Sequence, residues 1–282
     1  MKRRSIVTAF SVIAALAVVA PIAGQLYDRR GVPDWTPDKE FEHDIFTFVR
    51  IEYSDGYGRG RYDRGYGRGS RGSDRRWGRW AIDYPDSDLN FAYRLQQLTS
   101  LEVRPEGVIL QLTDPELFNY PFIYIVEPGA LQFSDDEVLA LREYLLNGGF
   151  LMVDDFWGEA EWWNFYYQIK RVFPNREPEE IPLEHEIFHA VFDLKERPQI
   201  PSIGHALNGR YAGITWERAD AQEVHYKQIK DDKGRMMVII CHNTDLGDGW
   251  EREGENEWYF HQFSEKSAYP LGINIVFYAM TH

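Results

Sequence analysis

"FSDDEVLALREYLLNGGFLMVDD", residues 133–155, carries the pattern from which the fold is read. Ser134 stands where a helix N-cap belongs. Asp135, Asp136 and Glu137 follow it, at the end of a helix whose dipole favours carboxylates. Amphipathic spacing continues to Leu146, and Gly148 can close the helix in a left-handed conformation. "FLMVDD" (150–155) is then a nearly unbroken apolar run, the pattern of a strand covered on both faces. A helix feeding such a strand is part of a βαβ crossover, so the expected class is α/β with a mostly parallel, three-layer sheet.

The neighbouring segments repeat this rhythm. An aromatic helix is expected over 159–173. "IFTFVRIEY" (45–53), "GVILQL" (107–112) and "FIYIVEP" (122–128) read as strands. "DYPDSDLNFAYRLQQLTSL" (83–101) reads as a helix capped by Asp86 or Ser87, with Leu89, Tyr93, Leu95 and Leu98 as its apolar contacts. In "EVHYKQIKDDKGRMMVIICHN" (223–243), two alternating runs flank "DDKG", which predicts an added β-hairpin. "AYPLGINIVFYAMTH" (268–282) predicts a closing helix with Pro270 in its first turn.

Residues 1–24 read as a signal peptide or N-terminal anchor. Lys2, Arg3 and Arg4 precede an apolar stretch from Ile6 to Ala23, which implies an exported, periplasmic or membrane-anchored protein facing outward. Residues 25–44 form a polar linker. Residues 56–80 hold eight Arg and eight Gly and are expected to be a flexible insert in the domain spanning 45–282. Eight Arg against two Asp leave +6 there, so the rest of a chain of net charge −14 carries about −20. That balance and the export signal argue against nucleic acid as a partner. Envelope proteins or polymers are expected instead, with the membrane touched only through the N-terminal segment. With Cys241 as the one cysteine, neither an intrachain disulfide nor a cysteine-based zinc site can form.

Six stretches together resemble the domain-of-unknown-function family 4159: "WAIDYPDSDLNFAYRLQQLT", "PFIYIVEPG", "LREYLLNGGFLMVDDFWG", "IPLEHEIFHAVFDL", "CHNTDLGDGWE" and "AYPLGINIVFYAMTH". The resemblance covers roughly residues 45–282, interrupted by the insert. It implies a class I glutamine amidotransferase-like, flavodoxin-like fold and no established reaction.

Amidotransferases place a nucleophilic cysteine on a sharp strand-to-helix turn. The comparable stretch here, "VDDFWGEAE", offers Asp154 and Asp155 and neither Cys nor Ser. Cys241 neighbours His242 on a strand, where adjacent side chains point to opposite faces, so a Cys–His dyad is not expected. Amidotransferase activity is therefore not expected, and Asp154 and Asp155 are the catalytic candidates at the carboxyl end of a central strand, where open α/β sheets bind ligands. Asp83, Asp86 and Asp88 in "DYPDSD", Asp245 and Asp248 in "NTDLGDGWE", Glu127, Tyr84, Trp157 and Arg94 complete a candidate ligand-binding set. Trp162 and Trp250 are its further aromatic walls. No cofactor is expected beyond Mg²⁺ or Ca²⁺ at the clustered carboxylates.

"LEHEIFHAVF" (183–192) also holds a zinc-peptidase pattern, with His185 and His189 as metal ligands around Glu186. Pro178, Pro182, Pro198 and Pro201 crowd the segment, which disfavours the long helix such a site needs. The expectation is a non-catalytic ligand-binding or assembly module with a degenerate amidotransferase-like site. The alternatives are a hydrolase acting on a carbohydrate or envelope polymer through its Asp residues, and the zinc peptidase.

Overall fold

The computed structural model describes residues 31–38, 44–55 and 78–282. Residues 1–24, expected as a signal peptide or anchor, part of the expected linker and residues 56–77 of the insert lie outside the described residues. Among those described, no helix is long and apolar enough to cross a membrane. The last residues of the insert are folded: Arg79–Ala81 make a 3₁₀ turn, and Trp80 is buried. Linker residues are docked as well, since the Trp35 indole donates to the Val103 carbonyl.

A seven-stranded sheet organises the molecule. In chain order the strands are β1 (Val49–Ile51), β2 (Val108–Leu110), β3 (Phe122–Val126), β4 (Phe150–Asp154), β5 (Glu179–Glu180), β6 (His225–Lys230) and β7 (Met236–His242). Their spatial order is β2-β1-β3-β4-β7-β6-β5. The first five in that order run parallel; β6 pairs antiparallel with β7, and the two-residue β5 pairs antiparallel with β6. The sheet order reverses direction at β1 and β3, as in flavodoxin-like sheets, with which the architecture is compatible.

The alternation within β3 and β4 shows why the sheet is covered twice. Phe122, Tyr124, Phe150 and Met152 face one core, with α1 (Asp86–Leu98) and α7 (Tyr269–Thr281). Ile123, Ile125, Leu151 and Val153 face the other, with α2 (Asp135–Leu146) and α3 (Gly158–Val172). Each such side chain, fully withdrawn from water, stabilises the fold by about 1.5–3 kcal/mol before conformational entropy is charged. The α2 capping box forms on both sides: Ser134 Oγ accepts from the Glu137 N–H, and Glu137 accepts from the Ser134 N–H.

Several expectations are corrected. The first strand is three residues long, with Phe46 held by an isolated bridge. Helix α1 begins at Asp86 without a side-chain cap, because its N-cap position is held by Pro85, whose side chain has no acceptor; Asp86 and Ser87 lie within the first turn, and the Ser87 hydroxyl is engaged by Arg50 and Asp88. It packs through Leu89, Phe91, Ala92 and Leu95, while Leu98 is exposed. The hairpin is not an appendage, because β7 pairs with β4 inside the parallel sheet. The closing helix is preceded by α4 (Ile203–Gly209), α5 (Leu246–Glu251), the turn α6 (Glu257–Tyr259) and a π-helical segment, Phe260–Ala268. The wider winding directly precedes Pro270, whose ring nitrogen cannot donate to a helical ladder.

Candidate functional site

The carboxyl ends of β3 and β4 and the loop after β7 meet beside the turn that enters α1. Each contributes a residue in the left-handed backbone region: Glu127 after β3, Asp155 after β4, Asn243 after β7 and Asp83 before α1. All four are non-glycine residues at φ values between 47° and 62°. That conformation costs on the order of 1–3 kcal/mol per residue, and the surrounding structure must hold it.

Arg50 holds the Asp83 turn. It is buried in β1, donates from Nε and Nη2 to the two Asp88 oxygens at 3.1 and 2.5 Å, and donates from Nη1 to the Trp80 and Ile82 carbonyls at 3.0 Å each. Asp88 is thereby committed to Arg50. Asp154 is committed on one side. Its Oδ2 accepts from the Leu246 N–H at 2.9 Å, the Gly247 N–H at 3.0 Å and the Tyr124 hydroxyl at 3.1 Å, pinning α5 against β4. Its buried Oδ1 has no hydrogen-bond partner.

Asp83, Asp155 and Asp245 come together. Each offers an oxygen within 4.8 Å of the others, and the three residues are 7, 9 and 4% exposed. The Trp157 indole donates to Asp155 Oδ1 at 3.1 Å, and the Asp248 N–H donates to Asp245 Oδ1 at 2.6 Å. Among the described residues, buried Asp83 Oδ2 has no hydrogen-bond partner. Among the described residues, no cationic side chain forms an ion pair with any of the three. Burial raises all three carboxyls well above the usual range. Next in effect are the charges of Glu251 and Asp248 on Asp83, of Glu127 and Asp83 on Asp155, and of Asp155 and Asp248 on Asp245. Asp154 is pushed up to about 7, mainly by burial.

A second grouping, Asp83 with Asp248 and Glu251, is different in kind. Arg252 Nε lies 3.3 Å from Asp248 and 2.6 Å from Glu251, and Ile203 N–H donates to Asp248 at 2.6 Å. Glu251 is still raised to about 8 by burial and by the charge of Asp248. At the rim, Arg79 reaches Glu127 at 3.5 Å and Glu161 at 3.6 Å, and Glu127 is raised to about 7, chiefly by burial.

The remaining predicted residues stand elsewhere or play other parts. Asp86 lies in the first turn of α1, and the Tyr84 ring lies 5.8 Å from the Arg50 guanidinium. Arg94 forms an ion pair with Glu253, away from the carboxylate trio. Trp250 is a core residue packed on Phe91, and Trp162 stacks with Phe156 and His242, so neither walls the trio. Cys241 is buried in the α1/α7 core, while His242 packs beside Phe156 and Trp162, so thiol and imidazole face opposite ways. His185 precedes a three-residue 3₁₀ turn and caps the Ile187 N–H. His189 uses both ring nitrogens, on Asp193 and on the Leu183 carbonyl, so the two histidines do not turn toward a shared ligand position.

Arg50, Tyr124, Gly247 and Glu251 were not among the predicted residues. A charged residue in the apolar run "FTFVRIEY" was the one visible signal for Arg50. A family model, domain of unknown function DUF4159, matches residues 71–280. The chain belongs to that family. No curated protein sequence matches the chain. DUF4159 membership supplies no reaction; the distinctive chemistry of this DUF4159 chain lies in its converging carboxylates.

Proposed function

We propose that this DUF4159 chain is a ligand-binding or assembly module on an amidotransferase-like scaffold, working through its acidic cleft and not through a covalent nucleophile. Its place in the cell envelope is part of the same proposal and rests on the basic and apolar character of residues 1–24. The observation that carries the reading is the convergence of Asp83, Asp155 and Asp245, buried and with no ion-paired cation among the described residues, at the carboxyl edge where doubly wound sheets take ligands. A fold gains nothing from three like charges withdrawn from water. Removing a needless buried carboxylate is neutral or stabilising, whereas breaking a satisfied network is costly.

Stability therefore tests the reading by its sign. Burial raises both carboxyls, so their charged forms weigh increasingly against the folded state as pH rises. In metal-free buffer at alkaline pH, Asp83→Asn and Asp155→Asn should each unfold at higher urea concentration than wild type, by about 1 kcal/mol or more. Loss of stability in both variants would show that the carboxylates serve the fold and would overturn the proposal.

A hydrolase is the second reading, favoured by one feature. Asp155 takes a left-handed conformation in the connection from strand β4 to helix α3, the kind of turn on which elbow enzymes present a nucleophile. Release of reducing ends from an envelope polysaccharide, abolished in Asp155→Asn, would support it. A wild-type protein without such turnover would remove it.

A further inference from the structure

We propose that Asp83, Asp155 and Asp245 hold one hard divalent cation of the Ca²⁺ or Mg²⁺ class. The inference deepens the acidic-cleft reading and rests on it. Three oxygens from three separate loops lie within 4.8 Å of one another, a spacing that one ion could bridge at the 2.0–2.6 Å distances typical of oxygen-ligated Mg²⁺ and Ca²⁺. The donor set is all carboxylate, without sulfur or imidazole, which suits a hard ion. Asp83 Oδ2, buried and without a hydrogen-bond partner, is the second and independent sign. It is turned inward: a Cβ built on Gly247 would lie 2.8 Å from it, 3.0 Å from the Tyr124 hydroxyl and 3.5 Å from Asp245 Oδ1. A bare residue at 247 is what lets α5 approach these oxygens so closely.

The surroundings favour one ion over two. The second grouping shares Asp83, but Arg252 already supplies its positive charge to Asp248 and Glu251. The first has none. The Trp157 indole and the Asp248 N–H each donate to one trio carboxylate and fix its orientation, as outer partners do around metal ligands. Three carboxylates fill only part of a coordination shell of six to eight oxygens. The remaining positions would accept water or the oxygens of a bound ligand.

The full chain, treated with a chelator and dialysed, is titrated calorimetrically with CaCl₂ and separately with MgCl₂. One cation per chain should bind, and the melting temperature should rise with its concentration. Asp155→Asn and Asp245→Asn should stay folded by circular dichroism and lose at least about tenfold in affinity. Terbium, a Ca²⁺ surrogate, should emit on excitation of tryptophan, and Trp157→Phe should quench that emission at saturating ion, because its indole touches a ligand. Absence of binding by either cation up to about 10 mM, beyond the weak end of known calcium modules, overturns the proposal. So does binding that both Asn variants retain. If the Asn variants are stabilised while no cation binds, the cation fails and the acidic-cleft reading stands. If they are destabilised, the cleft reading fails too.

Discussion

Arg50 is the residue on which the site's geometry turns. It joins β1 to the turn at Trp80–Ile82 and to Asp88, and so fixes where Asp83 emerges. Replacing it with Met leaves Asp88 buried and uncompensated, and should cost about 3–5 kcal/mol in urea unfolding. The double variant Arg50→Met/Asp88→Leu should recover most of that loss; equal losses in single and double variants would mean that the pair's charge is not what matters. The sequence displayed the anomaly of Arg50 within a strand but not its partner, which lies 38 positions further on. On sequence alone, Asp88 belongs with the ligand-binding acids of "DYPDSD". Asp154 and Asp155 show the same limit. Neighbours in sequence, they turn apart, one toward the α5 amides and the other toward the trio, because φ changes sign between them.

At the scale of elements, local rules were legible and packing was not. Ser134, Gly148 and the apolar run of β4 announced helix and strand with chemistry contained in a few residues. The role of Trp250 depends on which helices cross, and no short-range pattern encodes that. It fills the space where α5, α7 and α1 meet, and there Gly272 leaves room for rings. A Cβ on Gly272 would stand 2.6 Å from both the Phe91 and Trp250 rings. Gly272→Ala should lower stability by about 1–3 kcal/mol, read as a fall in melting temperature, although alanine is the better helix former. Unchanged melting would mean that the helices shift apart freely.

At the scale of the whole molecule, the parallel sheet and its two covering layers followed from the order of segments, and so did the edge where ligands are expected. All three trio residues stand in the candidate set, but that these three meet while Asp88 and Asp154 are engaged elsewhere is not legible, because the trio draws on loops 72 and 90 positions apart along the chain. One acid-sensitive element lies outside it. Burial lowers the His242 imidazole from 6.5 to about 4, against Phe156 and Trp162. The unfolded chain takes up that proton near pH 6.5, and the folded chain resists it until about 4. This contribution is therefore neutral above 6.5, and stability falls as pH drops from 6.5 toward 4. His242→Gln, which keeps a donor for the Gly158 carbonyl, should flatten that part of the melting-temperature profile. A profile identical to wild type would assign the acid sensitivity elsewhere.

Strand β1 has a practical consequence for anyone cutting the gene. It lies before residue 71, yet it is wedged between β2 and β3, and β2 has no other neighbour. A polypeptide trimmed to 71–280 would discard a central plank of the sheet, orphan an edge strand and strip Asp88 of its guanidinium. Such a fragment should emerge insoluble, and the unit to express begins ahead of Phe46.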